Sequence, residues 1–371
     1  MITRLLLVLY LAALLAFVSA CSNMSRTQTS AETHSQMSKQ QQAGALPATL
    51  AEGNIAEYPL PQAKSGLMRP AVDHKGRVWV AEMGNNALAV FDPHTQTFQQ
   101  LTPPHAKNGL MGVLVAPDDT IWYSEQFANY IGHYDPLHER YQEFNLPTIK
   151  TPDPNDKNNT LTLPSAPNDL AMDAHGNIWF TEMNADAIGK LDSKTGQFTH
   201  YPLSRPPTAQ KYNPYGITVD PQNNVWFTEA STNNLGRLNP ATGKIQFFTL
   251  SGPSNPLMEV VSDSHGTIWA TTFNSATLLK FDPQDATFST YRAPNADQGI
   301  SGMYGLAVMD DEIWVTIAAS NTIARFDTNT KHFFYYQIPT ENSSPLGIAY
   351  AADHTIWFTE SIGNQIGKLT L

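Results

Sequence analysis

The stretch "VWFTEASTNNLGRLNP" (225–240) decides the architecture, because it returns as "IWFTEMNADAIGKLDS" (178–193) and "IWFTESIGNQIGKLTL" (356–371). All seven tryptophans occupy one place in this phrase: Trp79, Trp122, Trp179, Trp226, Trp269, Trp314 and Trp357. Their spacings of 43, 57, 47, 43, 45 and 43 residues match the length of propeller blades, each made of four short strands. Within a unit, an apolar run such as "GITVD" (216–220) is followed by a Gly/Asn turn, the Trp phrase, a third run "LGRLNP" (235–240) and a fourth, "KIQFFTL" (244–250). Asp-Pro and Asn-Pro steps at 92–93, 135–136, 239–240 and 282–283 suit the tight turn between strands three and four. No stretch carries helical periodicity.

The expected fold is therefore all-β: a seven-bladed β-propeller with four-stranded blades over residues 51–371. The last repeat ends after its third strand, at "QIGKLTL" (365–371), while "NIAEYPLP" (54–61) reads as a fourth strand without a blade. The N-terminal strand should then complete the last blade and remove the open edges. The long spacing holds an insertion, "LPTIKTPDPNDKNNTLTLPSAP" (146–167), expected as a surface loop able to act as a lid.

Composition narrows the function classes. Net charge is −11 and Lys/Arg residues form no cluster, so the chain has no electrostatic grip on a phosphate backbone and nucleic acid is excluded as a partner. Arg4 precedes the apolar run Leu5–Val18, too short to span a bilayer, and Val18-Ser19-Ala20-Cys21 resembles the bacterial lipobox. Residues 1–20 are read as a lipoprotein signal peptide and Cys21, the sole cysteine, as the lipidation site. Residues 21–50, rich in Ser, Thr and Gln, are read as a flexible tether. The expectation is a monomer held by a lipid anchor on the bacterial outer membrane, facing the periplasm.

A repeated residue is first of all scaffold. The Glu three residues after each Trp (Glu82, Glu125, Glu182, Glu229 and Glu360, with Thr272 and Ile317 in blades 5 and 6) is expected to bond within or between blades. Function should lie in what differs between repeats. The residue before the first-strand Gly position gives a ring at the channel mouth: Met68, Met111, Asn168, Tyr215, Met258, Tyr304 and Leu346. Its soft, apolar and aromatic character suits a hydrophobic or amphipathic small molecule or a protein partner, and equally suits a simple plug of the channel. His74, His175, His265 and His354 share one turn position on the opposite face, whereas His105 stands alone in a top-face loop. An enzyme reading requires a divalent ion held by two or more of Glu125, Glu182, Glu229, Glu360, Asn168 and Asn213, with Glu229 and Glu360 the leading metal candidates. A third reading is an interaction scaffold that uses an outer blade face.

The repeat "NPYGITVDPQNNVWFTEASTNNLGRLNPATGKIQFFTL" (213–250) resembles a blade of the streptogramin B lyases, also called virginiamycin B lyases, over about residues 54–371. That resemblance implies Mg²⁺-dependent elimination at the ester linkage of a cyclic depsipeptide, with a His after Pro at the entry to each of the last two blades and acids before and after. The matching stretches here are "GMYGLAV" (302–308) and "SPLGIAY" (344–350). Tyr304 and Leu346 stand at the two His positions and Ser344 at the preceding acid, which leaves Glu360 and Tyr304 as the catalytic candidates. The expectation is a lyase-like propeller without the lyase activity, with Mg²⁺ implied by the resemblance alone; the enzyme alternative is a metal-dependent lyase or a lactonase that uses other top-face residues.

Overall fold

The computed structural model describes residues 36–37, 40–42, 46–105, 107–152, 160–204, 211–294 and 302–371, with the backbone alone for 36–42 and 151–152. Residues 1–35, with the stretch read as a signal peptide and Cys21, lie outside the described residues. Seven four-stranded antiparallel sheets follow one another along the chain. Their first strands are Leu67–Val72, Leu110–Val115, Pro167–Met172, Pro214–Val219, Leu257–Ser262, Met303–Met309 and Pro345–Tyr350. The second strands carry the Trp phrase and are buried at nearly every position, from Val78–Glu82 in blade 1 to Ile356–Glu360 in blade 7. Asn54–Pro59 pairs antiparallel with Gln365–Thr370, so the N-terminal strand closes blade 7 as its fourth strand. Among the described residues the only helical turn is Ala318–Ser320, and no helix is long and apolar enough to cross a membrane.

The tryptophans cement the interfaces between blades. Trp357 of blade 7 packs with Leu67, Val78 and Phe91 of blade 1, and Trp226 of blade 4 packs with Leu257, Val260 and Phe281 of blade 5. The five others sit in equivalent clusters. A buried indole N–H needs an acceptor. In four blades it donates to the Asp six residues earlier: Trp79 to Asp73 at 2.9 Å, Trp179 to Asp173 at 2.9 Å, Trp226 to Asp220 at 2.7 Å and Trp269 to Asp263 at 3.1 Å.

The Thr of the phrase is a latch. Every first strand bulges at its second and third residues; in blade 7, Pro345 faces Glu360 and Ile348 faces Phe358, so Leu346 and Gly347 together oppose Thr359. The Thr359 hydroxyl accepts the Gly347 N–H at 2.9 Å and donates to the Met68 carbonyl of blade 1 at 2.8 Å. Thr181 accepts the Asp169 N–H at 3.1 Å and donates to the Tyr215 carbonyl of the next blade at 2.8 Å. Ser124, Thr228, Thr271 and Thr316 do the same. Blade 1 has Ala81 at this position and no hydroxyl to offer. The Trp and the Thr or Ser of the phrase are thus scaffold: Trp fills the interface between blades, and the hydroxyl fastens it in six of the seven.

One expectation needs correction. Part of the stretch read as a tether forms short parallel strands along the outer edges: Gln36–Met37 on blade 4, Gln40–Gln42 on blade 5 and Ala48–Leu50 on blade 6. An outermost strand offers unpaired backbone groups to any extended segment, and composition does not report that opportunity. The insertion after blade 2 carries a hairpin of its own, Ile149–Pro152 paired with Thr160–Leu163, whose tip lies outside the described residues.

Candidate functional site

The bulge places the seven predicted mouth residues in register as the second residue of each first strand. Met68, Met111, Asn168, Tyr215, Met258 and Tyr304 are all buried, and only Leu346 is half-buried. Tyr215, Met258 and Tyr304 form one cluster and Met68 and Met111 belong to another, with Leu346 packed against both. The Tyr215 and Tyr304 hydroxyls hydrogen-bond to each other, with their rings edge-on at 6.1 Å. Asn168 Nδ2 donates to the Tyr215 carbonyl at 3.0 Å. The ring therefore closes the channel instead of lining an open one.

The next residue of each strand was missed by sequence reading. In blades 2, 4, 6 and 7 it is Gly112, Gly216, Gly305 and Gly347. There the neighbouring first strand comes so near that a Cβ on Gly305 would stand 2.3 Å from the Leu346 carbonyl oxygen. In blades 1, 3 and 5 it is Arg69, Asp169 and Glu259, three charged side chains that meet in the channel although up to 190 residues apart. Arg69 Nη2 donates to Glu259 Oε1 at 2.6 Å and Nε to Glu259 Oε2 at 3.1 Å, with Asp169 Oδ1 at 3.3 Å. The guanidinium also lies 5.3 Å over the Tyr215 ring.

All three residues are only 8% exposed. Burial works against the charge on Arg69, but Asp169 and Glu259 outweigh it and raise the guanidinium well above its ordinary value. Burial pushes both Asp169 and Glu259 upward against the pull of Arg69. Burial, then the Tyr215 hydroxyl, pushes the Tyr304 phenol well above its ordinary value, so Tyr304 stays protonated at neutral pH and is a poor base.

Above this plug lies a second tier, the residue after each phrase Glu. Met183, Ala230 and Phe273 pack on the Tyr215–Met258–Tyr304 cluster, and Met83 packs on the Met68–Met111 cluster. Each is half-buried, and Phe127 and Ile362, one residue further on, are exposed at 48% and 65%. The apolar surface at this end of the channel thus belongs to these residues and to Leu346. The signal for them was a single step beyond the phrase Glu, or beyond Thr272 in blade 5, where the repeat becomes irregular.

The Glu residues do not converge. Glu82 accepts from Asn85 at 2.9 Å and Gln100 at 2.7 Å, and Glu182 pairs with His200 at 2.7 Å. Glu229 accepts from Thr232 and from Asn234 at 2.9 Å, and Glu360 from Gln365 at 2.9 Å. Burial pushes Glu229 and Glu360 each up to about 7. Asn213 is tied to Ser231, and Asn168 to the neighbouring blade. The predicted metal pair Glu229 and Glu360 is therefore divided between two blades with separate partners. Glu360 and Tyr304, the catalytic candidates, also belong to separate networks. The Mg²⁺ implied by the resemblance does not fit: Leu346 has no donor atom and the Tyr304 hydroxyl is committed to Tyr215. Among the described residues the one group of three His or acidic side chains within metal-ligating reach is His105, Glu125 and Glu143, in and beside blade 2.

His74, His175, His265 and His354 stand in the turns between first and second strands, at the opposite end of the channel, as the repeat predicts. One cleft of about 510 Å³ opens on that face between blades 6 and 7, lined by Asp310, Glu312, Tyr350, Asp353, His354 and Leu371. Nothing in the repeat pattern announced it.

Comparisons with known proteins come from both sequence and structure. Residues 208–371 match the model of the virginiamycin B lyase family. No curated protein matches the chain in sequence. A streptogramin B lyase structure is similar over 86% of this chain and 98% of its own, with 26% identity and a TM-score of 0.75. The virginiamycin B lyase of Staphylococcus aureus is similar over 86% of this chain and 100% of its own, with 24% identity and a TM-score of 0.75. A catalytically inactive His-to-Ala variant of that lyase, in a structure with quinupristin, gives 24% identity and a TM-score of 0.74 over the same shares of both chains.

Proposed function

We propose that this chain, a virginiamycin B lyase-like seven-bladed β-propeller, is a binding protein of the bacterial cell envelope that takes a hydrophobic or amphipathic ligand on the upper tier of its channel and does not open it. The observation that carries the reading is the state of the two positions where the resemblance places histidines. Leu346 has no atom that ligates a metal or moves a proton, and Tyr304 is buried, protonated and bonded to Tyr215. The relative in the structure with quinupristin is itself catalytically inactive after loss of one His, which supports a division between holding such a ligand and cutting it. The apolar tier of Met83, Met183, Phe273 and Leu346 supplies contact area, and methionines adapt to irregular ligands. Cys21 would carry the lipid that keeps the propeller at the outer membrane.

Two measurements on the purified protein test this. Quinupristin incubated with protein and Mg²⁺ should keep its ring, as read by mass spectrometry; opening faster than with Mg²⁺ alone overturns the non-catalytic reading. The amphipathic fluorophore 8-anilinonaphthalene-1-sulfonate should bind saturably, and Met183→Ser with Phe273→Ser should weaken it roughly tenfold, the worth of about 1.4 kcal/mol of apolar contact. Unchanged binding in the double variant removes the upper tier as the site.

A further inference from the structure

In blades 1 and 3 the fourth-strand residue facing the third-strand Ala or Gly places a side-chain nitrogen against the phrase Glu: Gln100 bonds Glu82, and His200 pairs with Glu182. Blade 2 differs from both. Its residue at that register is Glu143, opposite Gly132, so a second carboxylate faces Glu125 where a donor stands elsewhere. Blade 7 has a similar pair, Glu360 and Glu57, but there Gln365 bonds Glu360 and the Thr340 N–H and hydroxyl bond Glu57 at 2.9 and 3.0 Å. Blade 2 instead brings in an imidazole from the preceding loop: His105 Nδ1 lies 2.8 Å from Glu143 Oε2 and 3.4 Å from Glu125 Oε2.

These three groups meet without hydrogen-bond geometry. His105 Nδ1, Glu125 Oε2 and Glu143 Oε1 are each buried atoms with no hydrogen-bond partner, and the Glu125 side chain is wholly buried. We propose that blade 2 holds a divalent transition cation of the Zn²⁺ type between His105, Glu125 and Glu143. Two ligand atoms about 2.0–2.1 Å from such an ion stand roughly 3.0–3.4 Å apart; His105 Nδ1 stands 2.8 and 3.4 Å from the two acids, and all three ligand atoms lie within 4.8 Å of one another. A mixed set of imidazole and carboxylates favours a borderline ion over Mg²⁺ or Ca²⁺. The surroundings are built for it. Asn108 Nδ2 fixes the other oxygen of Glu125 at 3.1 Å, and the His105 ring stacks on Tyr130 at 3.9 Å. Blade 2 is also the one blade whose phrase places a hydroxylated aromatic, Tyr123, after the Trp, and its side chain lies against Glu143. The His105 side chain is 34% exposed and gives the ion a way in.

The competing account is a protonated His105 that bridges the two acids with no metal. Calorimetric titration of chelator-treated protein with Zn²⁺ separates them: the expected result is one saturable equivalent, weakened roughly 100-fold or more by Glu143→Gln and by His105→Ala, each removing one ligand. His105 is half-exposed in a loop, so its variant keeps the fold even if the buried Glu143 substitution does not. Co²⁺ should give a visible absorption band that the His105 variant loses. Absence of saturable Zn²⁺ binding, or equal affinity in wild type and the His105 variant, overturns the proposal.

Discussion

Arg69→Met is the substitution whose outcome the channel constrains most. Methionine roughly keeps the volume but removes the charge, leaving Asp169 and Glu259 facing each other with 8% exposure each. The exchange breaks the interactions of Arg69 with Glu259 at 2.6 and 3.1 Å and with Asp169 at 3.3 Å. Removing one partner of a buried ion pair costs about 3–5 kcal/mol because an uncompensated charge stays behind, and loss of the cation–π interaction with Tyr215 adds about 1 kcal/mol. At roughly 2 °C per kcal/mol for a chain of this size, the thermal midpoint should fall by about 8–12 °C at pH 7.5. The deficit should depend on pH. Without Arg69 both acids are pushed further up, and an acid raised in the folded state contributes stability at low pH that is lost as pH rises through its folded value. The gap between variant and wild type should therefore narrow at pH 5. Neutralising the whole group, in Arg69→Met with Asp169→Asn and Glu259→Gln, should recover most of the loss, since a buried ionic group replaced entire often costs little. Differential scanning calorimetry at both pH values decides it. A fall under about 2 °C, or a deficit equal at pH 5 and pH 7.5, refutes the claim that the three charges depend on one another.

Two further outcomes follow from the scaffold. Thr359→Val keeps shape but strands the buried Gly347 N–H and Met68 carbonyl, so it should cost about 1–3 kcal/mol in urea unfolding, whereas the same exchange at exposed Thr95 should cost almost nothing. Glu229 and Glu360, raised to about 7, favour the folded state below their ordinary value near 4.5. The wild-type midpoint should fall as pH rises from about 4.5 to 7, and Glu229→Gln with Glu360→Gln should flatten that slope; a midpoint that rises through this window contradicts the assignment.

The blade phrase made the architecture readable because each part of it acts locally or on the next blade. Trp226 meets Phe281 and Thr228 meets the Met258 carbonyl, each in the next blade along the chain, so seven copies of a motif suffice to state the interfaces. The strand that closes the ring was legible for the same reason, as an unmatched fourth run at 54–59 and a missing one after Leu371. The site residues were legible only as positions. Met68, Met111, Asn168, Tyr215, Met258, Tyr304 and Leu346 do share one register, but the sequence left open whether they form a mouth or a plug, and burial makes them a plug. Arg69, Asp169 and Glu259 were in plain view as three departures from Gly, yet nothing in the repeat says that departures in blades 1, 3 and 5 meet.

What the sequence determined by itself is the periodic part: strand order, blade count, closure, the latch and the Trp interface, all encoded in pairings that recur at one spacing. What only the tertiary structure decided is the contents of the two places where the repeats differ and converge. In the channel, seven first strands bring side chains up to 190 residues apart within hydrogen-bond reach. In blade 2, a loop histidine and two acids from separate strands are pressed together where other blades pair an acid with a donor. The physical reason is that a repeat fixes how neighbours along the chain pack, while burial and charge at the centre depend on all seven blades at once.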